Sequence, residues 1–191
     1  MTQSIYQVQI ILKGSKPKIW RRLLIPSDLL LSDFHKIIQT AMGWTDSHLH
    51  QFIKNRKFYS VKHPDDDFWD DMGNIDYKKE KIRVSDLLKT EKEKITYEYD
   101  FGDGWVHDII LEMVFPADPE IKVPVCLAGA RNCPPEDCGG VWGYAELLKI
   151  VKQPDHAEYK NFLDWLGEGF DPEYFDINVV NKLLGKKKYG S

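Results

Sequence analysis

From residue 5 to residue 12 apolar and polar side chains alternate, with Tyr6, Val8, Ile10 and Leu12 on one face and Gln7 and Gln9 on the other. That period of two marks a half-buried strand. The turn residues Lys13-Gly14-Ser15-Lys16-Pro17 follow, and residues 19–25 return as a second strand that stops at Pro26. The period then changes. Phe34, Ile37, Ile38 and Ala41 recur at helical spacing, Ser32 is placed to cap the helix, and Gly43 suits the left-handed residue that ends it. Residues 48–54 and 57–61 read as short strands, 63–81 as an acidic surface loop, and 84–88 as one helical turn.

Residues 95–101 and 105–115 make the clearest hairpin. Ile95, Tyr97, Tyr99 and Phe101 share one face, as do Trp105, His107, Ile109 and Leu111. A three-residue loop, Gly102-Asp103-Gly104, pairs Phe101 with Trp105 and Tyr99 with His107, keeping the apolar face intact. Residues 117–140, dense in Pro, Gly and Cys, read as irregular. Helices are expected over 142–152, over 157–166 with Asp155 as its cap, and over 177–184 from Asp176. The order predicts an α+β fold: a mixed or antiparallel sheet of hairpins with one packed helix, β-grasp-like, and a C-terminal helical segment. A single domain over 1–191 is expected, with a core over 5–116, a Cys/Pro/Gly loop over 117–140, and a helical tail over 141–184 packed on the core.

Composition narrows the classes. The 191 residues are 42 % hydrophobic and 29 % charged, enough to bury a core and too apolar for a disordered polyampholyte. Lys and Arg total 26 against 30 Asp and Glu, a net charge of −4. That balance weighs against a protein whose main business is coating nucleic acid, while leaving room for a local basic patch. No apolar run approaches the roughly 18 residues of a membrane span, so no membrane partner is expected. Three cysteines, and no basic or apolar leader in residues 1–10, predict reduced thiols in the cytoplasm.

Cys126, Cys133 and Cys138 lie close enough in sequence to bind zinc, with His107 completing a tetrahedral set. Their spacing is not that of a paired C-x-x-C knuckle, and small thiols packing a Pro-Gly-rich loop are the competing reading. His48 and His50 fall on one strand face. His107 sits in an apolar row beside Trp105, where a hydrogen-bonded core histidine competes with a site residue. Asp100 and Asp103 place carboxylates near the hairpin tip, and Glu136 and Asp137 stand beside Cys138 as acid, base or ligand. The acidic run from Asp65 to Asp71 fails the calcium-loop register, since Trp69 falls on a ligand position. Lys18, Arg21 and Arg22, with Lys54, Arg56 and Lys57, are the basic candidates, and Trp20, Trp44 and Trp105 are further binding candidates. Gly139-Gly140 ahead of a helix could face an anion. No phosphate-loop, dinucleotide or nucleophile-elbow motif is present.

Four segments occur together in one order: Pro17-Lys18-Ile19-Trp20-Arg21-Arg22, Met42-Gly43-Trp44 with His48-Leu49-His50-Gln51-Phe52, the stretch from Tyr97 to His107 containing Phe101-Gly102-Asp103-Gly104-Trp105, and Cys133-Pro134-Pro135-Glu136-Asp137-Cys138-Gly139-Gly140. Over residues 5–184 the chain resembles the Ri-plasmid ORF-3-like family, also described as insertion-element passenger proteins with a resolvase-like label. The resemblance implies an α+β structure and no established activity. The chain carries no serine-recombinase motif, so recombinase chemistry is not carried over. The leading expectation is a cytosolic binding or accessory module related to mobile-element passengers. The alternatives are a metal-dependent hydrolase-like enzyme using the Cys/His cluster, and a nucleic-acid-binding protein using the six basic residues as one patch. Any functional centre is expected where residues 133–140 meet the 100–107 hairpin and the 48–50 strand.

Overall fold

The computed structural model describes residues 4–62, 73–167 and 169–189. Eight strands form one mixed sheet: β1 Ser4–Leu12, β2 Trp20–Pro26, β3 His50–Lys54, β4 Lys57–Ser60, β5 Ile75–Asp76, β6 Lys94–Tyr99, β7 Trp105–Pro116 and β8 Val125–Ala130. Their spatial order is β5-β4-β3-β6-β7-β1-β2-β8. The β4–β5 pair is parallel and every other neighbouring pair antiparallel. Pairing of β1 with β7 joins the two long hairpins into one sheet. Five helices complete an α+β fold: α1 Leu31–Met42, α2 Val84–Leu87, α3 Gly140–Ile150, α4 Tyr159–Leu166 and α5 Ile177–Leu184.

The alternation in β1 buries Tyr6, Val8, Ile10 and Leu12, and the stripe on α1 buries Phe34, Ile37, Ile38 and Ala41 in the same apolar cluster. Two stripes that would otherwise face water cover each other. Gly43 ends α1 at φ 112°, and its amide and that of Trp44 both donate to the Gln39 carbonyl. This Schellman-like turn drops Trp44 into the core.

Several expectations need correction. The helix begins at Leu31, so Ser32 lies inside its first turn and does not cap it. Tertiary contacts fix this end instead: the Leu31 amide donates to the Ile82 carbonyl at 2.9 Å, and Leu30 bridges Arg83. The β6–β7 register is displaced by two residues, pairing Tyr99 with Trp105 and Tyr97 with His107. The apolar face survives because two is the strand period, but the loop holds five residues and Phe101 is exposed. Asp100 causes the displacement. It leaves the strand at φ 58°, its Oδ1 accepts from the Gly102 and Asp103 amides, and its carbonyl accepts from Gly104.

Within the stretch read as irregular, β8 pairs with β2. Its Gly129 is required by packing: a β-carbon there would stand 2.6 Å from the Phe175 ring and 2.9 Å from Arg21 Cδ. The Asn181 amide on α5 clips this edge, accepting from the Cys126 amide at 2.7 Å and donating to its carbonyl at 2.9 Å. Short β5 lies inside the expected acidic loop, whose run from Asp65 to Asp71 falls outside the described residues. Helix α4 starts at Tyr159 without a side-chain cap, so Asp155 and Glu158 form no capping box. Asp176 caps α5 through the Asn178 and Val179 amides.

Candidate functional site

Residues 133–140 pass directly beside the hairpin tip and the chain entering β3. Asp103 Oδ2 accepts from the Gly139 amide at 3.2 Å, so the N-terminus of α3 does face an anion, one supplied by the chain itself. Gly140 has φ 67°, and a β-carbon on it would lie 2.3 Å from the Asp103 carbonyl oxygen. A β-carbon on Gly143 would meet the Cys138 carbonyl at 1.9 Å. Both glycines are therefore imposed by close backbone approach.

On one side of this contact lies a histidine between carboxylates. His48 Nδ1 is 3.7 Å from Asp100 Oδ2, and His48 Nε2 is 3.4 Å from Asp137 Oδ1. Glu136, the neighbour of Asp137, accepts from the Tyr99 hydroxyl, the Thr45 hydroxyl and the Thr45 amide. Burial works against ionisation of Glu136, but the Thr45 and Tyr99 hydroxyls outweigh it and hold the carboxyl below its usual range. The Trp44 indole N–H donates to the Pro134 carbonyl at 3.1 Å, anchoring the start of the loop.

The thiols do not take part. Among the described residues, the sets of three or more metal-capable donors within 4.8 Å of one another are His48-Asp100-Asp137 and His35-Asp46-His50, and neither includes a cysteine. Cys126, Cys133 and Cys138 are all free, and the Cys126 thiol points to the Ala128 carbonyl. Burial pushes the Cys138 thiol up to about 12 and raises the other two, so all three are protonated at neutral pH. The expected zinc set of three cysteines with His107 is therefore not assembled.

The paired histidines part company. His50 turns inward, bonding the Tyr77 hydroxyl at 2.7 Å and stacking on His35 with centroids 3.4 Å apart. His35 also bonds the Tyr97 hydroxyl at 2.8 Å and Asp46 at 2.6 Å. His35, Asp46 and Tyr77 escaped the sequence reading; the available signal was the polar pair His35 and Gln39 on the buried stripe of α1.

The basic candidates are not all free: Lys18, Arg56 and Lys57 are exposed, but Arg21 and Arg22 are tied into the fold. Arg21 is buried, spending its guanidinium on the Trp20, Ala41, Ala130 and Arg131 carbonyls. Arg22 forks onto Glu112 at 2.5 and 2.7 Å and lies over the Trp20 ring. Lys54 reaches Glu93.

On the other side of the tip is a cleft of about 510 Å³. Its walls are the β1–β2 turn with Lys13, Lys16 and Pro17, the hairpin with Asp103, Gly104 and Val106, and α3 with Val141, Trp142, Tyr144 and Leu148. Trp142 is 89 % exposed at its rim, while Tyr144 is 5 % exposed with a buried hydroxyl that has no hydrogen-bond partner among the described residues. These groove residues were missed because Lys13 and Lys16 read only as turn chemistry and Trp142 only as the start of a helix.

His107 and Trp105 are wholly buried, and their Nε2 and Nε1 atoms lack partners among the described residues. Burial lowers the His107 pKa from 6.5 to about 4. The unfolded chain therefore binds the extra proton first, and stability contributed at neutral pH is lost as pH falls from about 6.5 towards 4. Between pH 7 and 5 the His107 share is on the order of 2 kcal/mol. Urea unfolding at both pH values should show that the loss shrinks by about this amount in His107→Gln, with a smaller residue from His35, whose pKa burial also lowers. An unchanged loss in the variant would contradict the assignment.

A family model described as plasmid pRiA4b ORF-3-like protein matches residues 4–179. The uncharacterized protein y4hQ of Sinorhizobium fredii is 35 % identical over 185 residues, covering 96 % of this chain and 92 % of that protein. The crystal structure of a protein of unknown function, MM3350 from Methanosarcina mazei Go1, is similar with a TM-score of 0.81 and 36 % identity, over 93 % of this chain and 98 % of that one. Its fold, its motifs and these matches agree: the chain belongs to the plasmid pRiA4b ORF-3-like family.

Proposed function

We propose that the chain is a binding or accessory module that takes a small ligand in the cleft between the β1–β2 turn, the hairpin tip and α3. The observation that carries this reading is the cleft itself, whose lining includes Tyr144 with a buried hydroxyl that has no partner among the described residues. An unsatisfied buried hydroxyl costs roughly 1–3 kcal/mol, a cost that an acceptor from outside the chain would remove. The cleft volume lies in the range of small-molecule sites, about 300–1,000 Å³. The fully displayed Trp142 at its rim adds a second group that folding alone does not explain.

The competing readings have weaker support. A metal-dependent hydrolase was expected to use the thiols, which lie outside both donor sets. His48 has a carboxylate within 4 Å of each ring nitrogen, and the thiols expected beside it are absent from that set. A nucleic-acid surface built from all six basic candidates would need Arg21 and Arg22 free, and both are tied into the fold. No helix among the described residues is long and apolar enough to cross a membrane.

Stability measurements test the cleft reading without knowledge of the ligand. Tyr144→Phe should leave urea-unfolding stability unchanged or raise it by up to about 1 kcal/mol, because it removes an unpaired group and no bond. Trp142→Ala should change it by less than about 0.5 kcal/mol. A loss above about 1 kcal/mol in Tyr144→Phe would mean that the hydroxyl is structural, and would overturn the proposal.

A further inference from the structure

Resting on that cleft reading, we infer that its occupant is a small organic anion with a flat aromatic body. The cleft has the two-part character such a molecule needs. Val106, Val141, Ala145 and Leu148 give it an apolar floor, while the β1–β2 turn places Lys13 and Lys16 on its opposite wall. Both lysines are exposed, and neither has a carboxylate within 4 Å among the described residues. The other charges of the lining are already committed. Arg131 is paired with Glu173, and Asp103 turns a carboxylate oxygen to the Gly139 amide at the start of α3. With Asp103 still negative, the two lysines leave the lining a net positive charge, on a chain whose net charge is −4. Such a local inversion of sign attracts anions to the cleft.

The aromatic part follows from the rim and the back wall. Trp142 presents nearly its whole ring to solvent beside Pro17, leaving a flat face for an offset stack. Behind it the Tyr144 hydroxyl is held protonated, burial raising its pKa to about 12 even though Arg131 works against that rise. It therefore stays an O–H donor, which an acceptor reaching through the cleft lining would satisfy. A neutral apolar molecule would use the floor and the indole but would leave both lysines and the donor unused. A compact inorganic anion would use the lysines and leave the floor wet.

Two dyes that share one aromatic body separate these cases: anilinonaphthalene sulfonate, an anion, and phenylnaphthylamine, its neutral counterpart. Fluorescence titration of the full chain should show saturable one-site binding of the sulfonate. Its Kd should rise about ten-fold in the double variant Lys13→Ala with Lys16→Ala, consistent with two partly exposed charge contacts. Added salt should weaken it in the wild type and not in the double variant. The neutral dye should bind more weakly and ignore the lysine replacements, while Trp142→Ala should weaken both dyes. If both dyes bind equally and the lysines have no effect, the anion inference fails and the cleft reading stands. If neither dye responds to Trp142→Ala or Tyr144→Phe, the cleft reading itself fails.

Discussion

The tip of the β6–β7 hairpin rests on the first residues of α3 so closely that no β-carbon fits between them. The Asp103 carbonyl occupies the place of a Gly140 side chain, and the Asp103 carboxylate caps the free amide of Gly139. The carboxylates around His48 and the cleft are both arranged around this contact. The Asx turn of Asp100 aims the tip, and the same carboxylate faces His48 with its other oxygen. The descending loop sets Glu136 against Tyr99 and Asp137 against His48. On the far side the same contact closes one wall of the cleft.

Behind the tip the core is unusually polar for a sheet-and-helix interface. His35, His50, Tyr77, Tyr97 and Gln39 bond one another beneath α1, while Trp44 packs on Tyr99, Trp105 and His107. Fully bonded networks of this kind favour one arrangement over near-equivalent apolar packings. The orphaned atoms of Trp105 and His107 work in the other direction, lowering stability at a place the fold holds rigid. Motif residues that look catalytic in sequence, His107 and Cys133 above all, thus serve in the interior, neutral and buried.

How much of this was legible depended on whether a signal was local. Strand β1, helix α1 with its Gly43 terminus, and the Asp176 cap follow from periodicity and from single residues whose chemistry acts within one turn. The hairpin faces were readable, but its register was not, because a shift of two leaves the face unchanged and only the Asp100 turn decides between the choices. Strand β8 was hidden by its own composition, since Gly129 exists to admit Phe175 and Arg21 from distant parts of the chain. The convergence of residues 133–140 with the hairpin and with His48 was legible from motif density. Its chemistry was not: carboxylates rather than thiols meet His48 there, and which side chains a loop turns towards a neighbour is a tertiary fact.

If the hairpin-on-helix contact organises the site, alanine at Gly140 and at Gly104 should have very different effects. Both positions have positive φ, 67° and 64°, so both variants carry the left-handed strain of about 1 kcal/mol. Only Gly140 also meets a backbone oxygen, whereas a β-carbon at Gly104 meets nothing within 4 Å. Urea unfolding of the two variants beside the wild type is the direct measurement. Gly140→Ala should lose at least about 3 kcal/mol against about 1 kcal/mol for Gly104→Ala. Equal losses would show that the tip does not bear on α3, and the site built around that contact would have no foundation.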